Sequence, residues 1–312
     1  MIEIKPSVTG VEHWVTKTHS GGPIRIYAWE KYAPEHERDF AGTVLLVHGS
    51  SMASTPSFDL EVPSHPSEYS LMDFLARHGF DVWCFDCEGY GRSDKTRDTK
   101  FYIEDGSDDA TAVAEYIRAR RGAEVKLLVF GVSSGALRAA MFAERHPEMV
   151  ARLILDAFVW TGEGSPTLEQ RRKRLPEYLA ENRRPMDLNF VRSIFTRDHP
   201  GTADDEVIEA FAGAILALDD SVPNGTYVDM CQNLPLVDPR KLDVPVMITR
   251  GEHDGIAGFD DLVEFFKHLP NPDKQFVVRP GSAHSSLHEK NYKTVFHMIL
   301  AFFTQPEPVY RG

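Results

Sequence analysis

Gly131-Val132-Ser133-Ser134-Gly135 closes a short apolar run, Val125-Lys126-Leu127-Leu128-Val129-Phe130, and opens a helical pattern carrying Leu137, Met141 and several alanines. Strand, sharp turn and helix are the context in which a G-x-S-x-G segment exposes a serine hydroxyl at the carboxyl end of a sheet. The glycines let neighbouring backbone come closer than a Cβ would allow. The helix start behind the serine favours negative charge on a reacting oxygen. Ser133 is therefore the candidate nucleophile.

A serine hydroxyl attacks well only when a base takes its proton. His284, in Pro280-Gly281-Ser282-Ala283-His284, lies between an extended run at Gln275–Val278 and the last helical pattern, where such a base belongs. His288, four residues on, is its competitor. The base in turn needs an acid to fix its tautomer and stabilise the imidazolium. Asp254, in Gly251-Glu252-His253-Asp254, follows the run Val244–Ile248 and is the candidate acid. Asp156, directly after Leu153-Ile154-Leu155, is the rival.

These side chains are far apart in sequence, so a frame must bring them together. Thr43–Val47, Asp81–Phe85, Val125–Phe130, Leu153–Leu155, Val244–Ile248 and Gln275–Val278 read as short strands, mostly continuous in apolar residues. Such strands are covered on both faces. Helical stripes lie between them. The clearest is Tyr292, Val295, Phe296, Ile299, Phe302 and Phe303. This alternation predicts a mostly parallel central sheet with helices on both faces. Two edge strands, Val11–Thr18 and Ile24–Trp29, precede it around the turn Ser20-Gly21-Gly22. The alternation stops between about Trp160 and Arg240. There, Arg171–Glu181, Leu188–Phe195 and Asp204–Leu218 read as helices, with no strand-like run. The expected organisation is a core of residues 1–159 and 241–312 with a helical cap inserted at 160–240.

At this point the chain resembles the α/β-hydrolase superfamily, in its serine-nucleophile branch with a helical cap. Ser133, Asp254 and His284 stand in that family's chain order. His48-Gly49 looks like its oxyanion-loop motif, and Asp86-Cys87-Glu88-Gly89-Tyr90-Gly91-Arg92-Ser93-Asp94 looks like its D-x-x-G-x-G-x-S-D stretch. The resemblance covers about residues 25–160 and 240–303. It implies an oxyanion hole made by the backbone N–H groups of Ser50 and Ser134. It also implies an acyl-enzyme route that needs neither metal nor organic cofactor. A serine at 133, where dehalogenases and epoxide hydrolases of this fold need a carboxylate, disfavours those two activities.

Ser51, Phe158, Trp160 and Tyr227 are the candidate substrate-binding residues, with Phe190 and Phe195 as further cap aromatics. The proline-rich loop Ser51–Ser67 is expected to border the pocket. Arginines crowd the insertion, and one or two turned inward would hold a substrate carboxylate. The leading reading is an esterase acting on a small-molecule acyl substrate, with a monoester bearing a second acidic group as its specific form. Carbon–carbon hydrolysis of a ring-cleavage product, and a non-catalytic small-molecule receptor, are the alternatives.

Composition sets the outer limits. The chain has 312 residues, 42% hydrophobic and 26% charged, the mix of a globular protein able to bury a large core. Lys and Arg number 34 against 47 Asp and Glu, a net charge of −13 that repels phosphate backbones and argues against nucleic acid. No run of about 18 apolar residues exists to span a membrane. The start, Met1–Pro6, is too polar for a secretory leader. The 3 cysteines fit reduced thiols in a cytoplasmic protein, with Cys84 and Cys87 as buried apolar residues rather than a metal or redox pair. A homodimer is a candidate assembly.

Overall fold

The computed structural model describes residues 7–310; Met1–Pro6 lies outside them. The strands are β1 (Thr9–His19), β2 (Gly22–Tyr32), β3 (Gly42–Val47), β4 (Phe80–Phe85), β5 (Leu127–Val132), β6 (Val150–Asp156), β7 (Arg183–Pro185), β8 (Ser221–Pro223), β9 (Val246–Gly251) and β10 (Lys274–Arg279). The helices are α1 (Ser54–Phe58), α2 (Leu71–Arg77), α3 (Ile103–Arg121), α4 (Ser134–Arg145), α5 (Pro166–Arg172), α6 (Leu175–Ala180), α7 (Leu188–Thr196), α8 (Asp205–Leu216), α9 (Gly225–Gln232), α10 (Phe259–His268) and α11 (Tyr292–Phe303).

Eight strands make one sheet in the order β1-β2-β4-β3-β5-β6-β9-β10. β2 runs antiparallel to β1 and β4, and every other pairing is parallel. β4, β5 and β9 are buried at every residue, so helices cover both faces. That double cover is why these strands read as unbroken apolar runs. The last helix, α11, buries the six residues of its stripe. No described helix is long and apolar enough to cross a membrane. Cys84, Cys87 and Cys231 are all free and buried.

Between β6 and β9 the chain leaves the sheet and builds α5 to α9. Two features differ from the sequence expectation. The helix expected over Arg171–Glu181 is two helices, α5 and α6, with Pro176 in the first turn of the second. Proline has no N–H and its ring clashes with the carbonyl four residues back, so one continuous helix could not form there. A small ribbon, β7 paired with β8, also lies in this region. Each strand has three residues and ends in proline, too short to show an alternating pattern.

Carboxylates tie this segment to the core. Asp219 accepts from Gly91 N–H at 2.9 Å and pairs with Lys95 at 2.6 Å. Asp229 accepts from Ile103 N–H, at the start of α3, at 2.8 Å. Asp261, on α10, accepts from the amides of Trp160, Thr161 and Gly162 where the chain departs from the sheet. The fully buried Arg138 of α4 donates to the His48 carbonyl and to Thr226 Oγ1, both at 2.9 Å.

Candidate active site

β5, β6, β9 and β10 are neighbours, so Ser133, Asp156, Asp254 and His284 leave the sheet along one edge, at the strands' carboxyl ends. Ser133 follows β5 with φ 57° and ψ −125°, a conformation that costs a side-chain-bearing residue about 1–3 kcal/mol. The packing enforces it. A Cβ on Gly131 would sit 2.5 Å from the Gly135 carbonyl oxygen, and one on Gly135 would run into the Val47 and His48 carbonyls. The Ser133 N–H donates to the Asp156 carbonyl at 2.8 Å.

β5 and β10 are three strand spacings apart, about 14 Å. The loop after β10 must therefore reach back across β9 and β6. It does: His284 Nε2 lies 3.0 Å from Ser133 Oγ, and its Nδ1 lies 3.0 and 3.1 Å from the two Asp254 oxygens. Asp254 also accepts from the amides of Ile256 (2.8 Å) and Ala257 (3.1 Å). Burial pushes its carboxyl up, but His284 and these amides outweigh burial and hold it well below the usual carboxylate range.

The rivals have other work. Asp156 accepts from Arg279 and from Ser286 Oγ, the latter at 2.6 Å. It therefore anchors the segment just after His284. His288 is buried and packed on Phe211, and burial lowers its pKa to about 4, so it stays neutral. Glu289, which sequence reasoning missed, accepts from the amides flanking His284: Ala283 at 2.9 Å and Ser285 at 3.2 Å. Its signal was a lone acid five residues past the histidine, which nothing in the sequence distinguishes from a helix-capping residue.

The oxyanion loop is braced from below. His48 is fully buried, and burial lowers its pKa to about 3, so the ring is neutral. Its Nε2 accepts from Cys87 N–H at 2.9 Å, leaving Nδ1 to donate to the Gly49 carbonyl at 2.7 Å. Asp86 accepts from Ser54 N–H and from Arg92 N–H, joining the two motif loops. The Ser50 N–H does not point freely at the nucleophile: it donates to Ser134 Oγ at 2.6 Å. Ser134 is the first residue of α4, where helix amides lack intrahelical partners.

The space around Ser133 is small, about 20 Å³ beside Phe211 and His288 and about 10 Å³ beside Arg171 and Arg197. That is room for little more than a water molecule. Ser51, Met52, Phe190 and Tyr227 line it. Phe158 and Trp160 do not. Both pack on Phe265 of α10, and the Trp160 indole donates to the Val237 carbonyl. Residues that follow a strand end closely can turn into the core as readily as over the site. Phe195 likewise packs away from it, on Phe211 of α8.

Tyr227 O–H is 3.4 Å from Ser51 Oγ, and the guanidinium groups of Arg184 and Arg171 lie 3.7 and 4.2 Å from its ring centroid. Burial pushes the phenol up, but Arg171, Arg184 and Arg197 outweigh it and bring the pKa down to about 7. Among the described residues, Asp198, Asp254 and His284 could offer atoms to a metal ion. Two of the three are already bonded to each other, and the imidazole is also bonded to Ser133.

The model of the family described as serine aminopeptidase, S33, matches residues 64–291. No curated protein matches the chain by sequence. Among solved structures, the chain is similar to a thermophilic esterase from Thermogutta terrifontis with malate bound (22% identity, 94% of this chain and 97% of that one, TM-score 0.66). It is also similar to an esterase from Exiguobacterium antarcticum (16%, 95% and 100%, TM-score 0.67). A third is the 2-hydroxy-6-oxo-6-phenylhexa-2,4-dienoate hydrolase of Rhodococcus sp. strain RHA1 (17%, 95% and 99%, TM-score 0.66).

Two carboxylates are expected to behave oppositely. Asp254→Asn leaves the fold intact and lowers kcat roughly ten-thousandfold, because the imidazole loses its tautomer. Asp156→Ala strands the buried Arg279 and destabilises by about 3–5 kcal/mol in urea unfolding. Equal effects on kcat with unchanged stability in both variants would contradict this division. Separately, near-ultraviolet titration should show one phenol ionising near pH 7 and losing its proton as pH rises. Tyr227→Phe removes that step. A protein whose tyrosines all ionise near the ordinary value of about 10 contradicts it.

Proposed function

Because the chain belongs to the serine aminopeptidase S33 family of α/β-hydrolases, we propose that it is a cofactor-free serine hydrolase cleaving a carboxylic ester through an acyl-enzyme intermediate. The observation that carries this reading is the unbroken hydrogen-bonded chain from Ser133 Oγ through His284 to Asp254. Ser133 Oγ attacks the ester carbonyl carbon while its proton passes to His284 Nε2. The tetrahedral intermediate collapses, the C–O bond to the alcohol breaks, and His284 returns the proton to the departing oxygen. Water then attacks the acyl-enzyme, giving its proton to His284. The second tetrahedral intermediate collapses, the bond from the acyl carbon to Ser133 Oγ breaks, and His284 returns its proton to Oγ, releasing the acid and restoring Ser133. Asp254 stays ionised and stabilises the imidazolium that forms twice.

The backbone N–H groups of Ser134 and Ser50 stabilise the oxyanion. The Ser134 hydroxyl must give up the Ser50 amide when the oxygen arrives, or turn its own O–H toward it. Backbone donors survive side-chain truncation, so Ser134 and Ser133 should respond very differently to alanine.

Ester rather than peptide chemistry follows from charge. A peptide's amino terminus is a cation, and the cap presents Arg171 and Arg197 to the space beside Ser133. Like charges there disfavour an ammonium group. Carbon–carbon hydrolysis is the second reading. A serine-nucleophile site is compatible with it, and the Rhodococcus hydrolase shares the fold.

Purified protein should hydrolyse p-nitrophenyl acetate and butyrate. Ser133→Ala should lower turnover by roughly a thousandfold or more, and Ser134→Ala by less than about tenfold. Turnover that survives Ser133→Ala refutes the nucleophile. Slow ester turnover beside fast cleavage of a dienoate ring-fission product favours the second reading, and tight ligand binding without turnover favours a receptor.

A further inference from the structure

Most cap arginines have ordinary partners. Arg174 pairs with Glu177 and Arg192 with Glu209, both on the exposed surface. Arg183 donates to the Gly89 and Ser221 carbonyls. Arg171, Arg184 and Arg197 differ in place and in partners. Arg171 and Arg197 line the space that also holds Ser133 and His284. Arg184 stands behind Tyr227 and donates to Ser51 Oγ, the Pro223 carbonyl and Asn224 Oδ1. Among the described residues no carboxylate pairs with Arg171 or Arg184. Arg197 has only its chain neighbour Asp198, with Nε 3.4 Å from Oδ1. The Nε atoms of both Arg184 and Arg197 are buried without a hydrogen-bond partner.

Arg171, Arg184 and Arg197 are half-buried, and withdrawing guanidinium groups even partly from water beside an apolar wall is costly unless an anion joins them. The cost stands out in a chain whose net charge is −13. Acids were plentiful, yet among the described residues Arg171 and Arg184 pair with none, and Arg197 has only Asp198 beside it and the already engaged Asp254 nearby. The depressed phenol of Tyr227 has the same origin, since Arg171, Arg184 and Arg197 are what lower it. Arg171 and Arg197 are moreover on the nucleophile's side of the cap, where an anion would sit on the same molecule as the scissile carbonyl. Guanidinium suits a carboxylate because its parallel N–H groups match the two oxygens.

We propose that Arg171 and Arg197, beside Tyr227, form a carboxylate-binding subsite, so that the substrate is an ester carrying a free carboxylate a few bonds from the scissile carbonyl. This deepens the serine-esterase reading and rests on it. The carboxylate can belong to the acyl half, as in a half-ester of a short dicarboxylic acid, or to the alcohol half, as in the acyl ester of a hydroxy acid. Its binding fixes the carbonyl over Ser133 Oγ, converting a diffusive encounter into an oriented one.

The test compares matched pairs in a pH-stat: monoethyl glutarate against ethyl pentanoate for the acyl half, and acetoxyacetate against propyl acetate for the alcohol half. For one pair, kcat/KM of the anionic ester should exceed that of its neutral partner by roughly tenfold or more. Arg171→Gln and Arg197→Gln should each lower that ratio at least about fivefold, chiefly through KM, and Arg171→Lys should restore part of it. Neither anionic ester being preferred, or a ratio unchanged in both variants, overturns the subsite. Ser133→Ala separates the two levels. If it leaves turnover of all four esters intact, the nucleophile reading fails. The same Ser133→Ala protein, which need not turn over, should bind monoethyl glutarate in calorimetry, and adding Arg171→Gln and Arg197→Gln should abolish that heat. Equal binding with and without those arginines overturns the subsite whatever the reaction proves to be.

Discussion

The imidazole of His284 is gripped at both nitrogens, by Asp254 on one side and Ser133 on the other. One ring therefore joins loops that leave the sheet about 14 Å apart. The remaining features of the site serve to keep that ring in place. Asp254 is oriented by two amides of its own turn, and Arg250 donates to its backbone carbonyl at 3.0 Å. Glu289 holds the amides on either side of the histidine. Asp156 pins Ser286 just beyond it, and spends its second oxygen on Arg279. A rival acid from the sequence thus becomes the foundation of the loop it was thought to serve.

The segment over the site adds a second layer of constraint. It is fastened to the core through Asp219, Asp229 and Thr226, which meet core amides, a lysine and an arginine, and through Asp261 of α10, which meets the segment's first amides. Acidic groups hold the segment down, while basic groups line its inner surface. That division of charge leaves the nucleophile under a positive ceiling in a negatively charged protein. The space beneath the ceiling has room for little more than a water molecule.

The sequence was legible where pattern and chemistry coincide. Ser133 sits between a run that only a buried strand tolerates and a helix start, and the glycines around it are dictated by backbone contacts. His284 and Asp254 follow strands in the same way. Partners that act through backbone amides left no pattern: Glu289 and Asp261 are single acids among 47 acidic residues in the chain. Tyr227 and the inward arginines were legible only as types, because the facing of each short cap helix depends on how it packs. Phe158 and Trp160 show the same limit in reverse. They follow β6 closely, yet both rings turn into the core beside Phe265. The Ser50 amide, bonded to Ser134 Oγ, could be assigned to the oxyanion loop but not to its resting partner.

In the proposed reaction, His284 turns Ser133 into a nucleophile. Reaction with a small organophosphate, followed by peptide mass spectrometry, measures this most directly. One adduct is expected, on Ser133, formed at a rate that collapses in His284→Ala while the fold is retained. An adduct on another residue, or labelling of Ser133 at an undiminished rate without the imidazole, would contradict it.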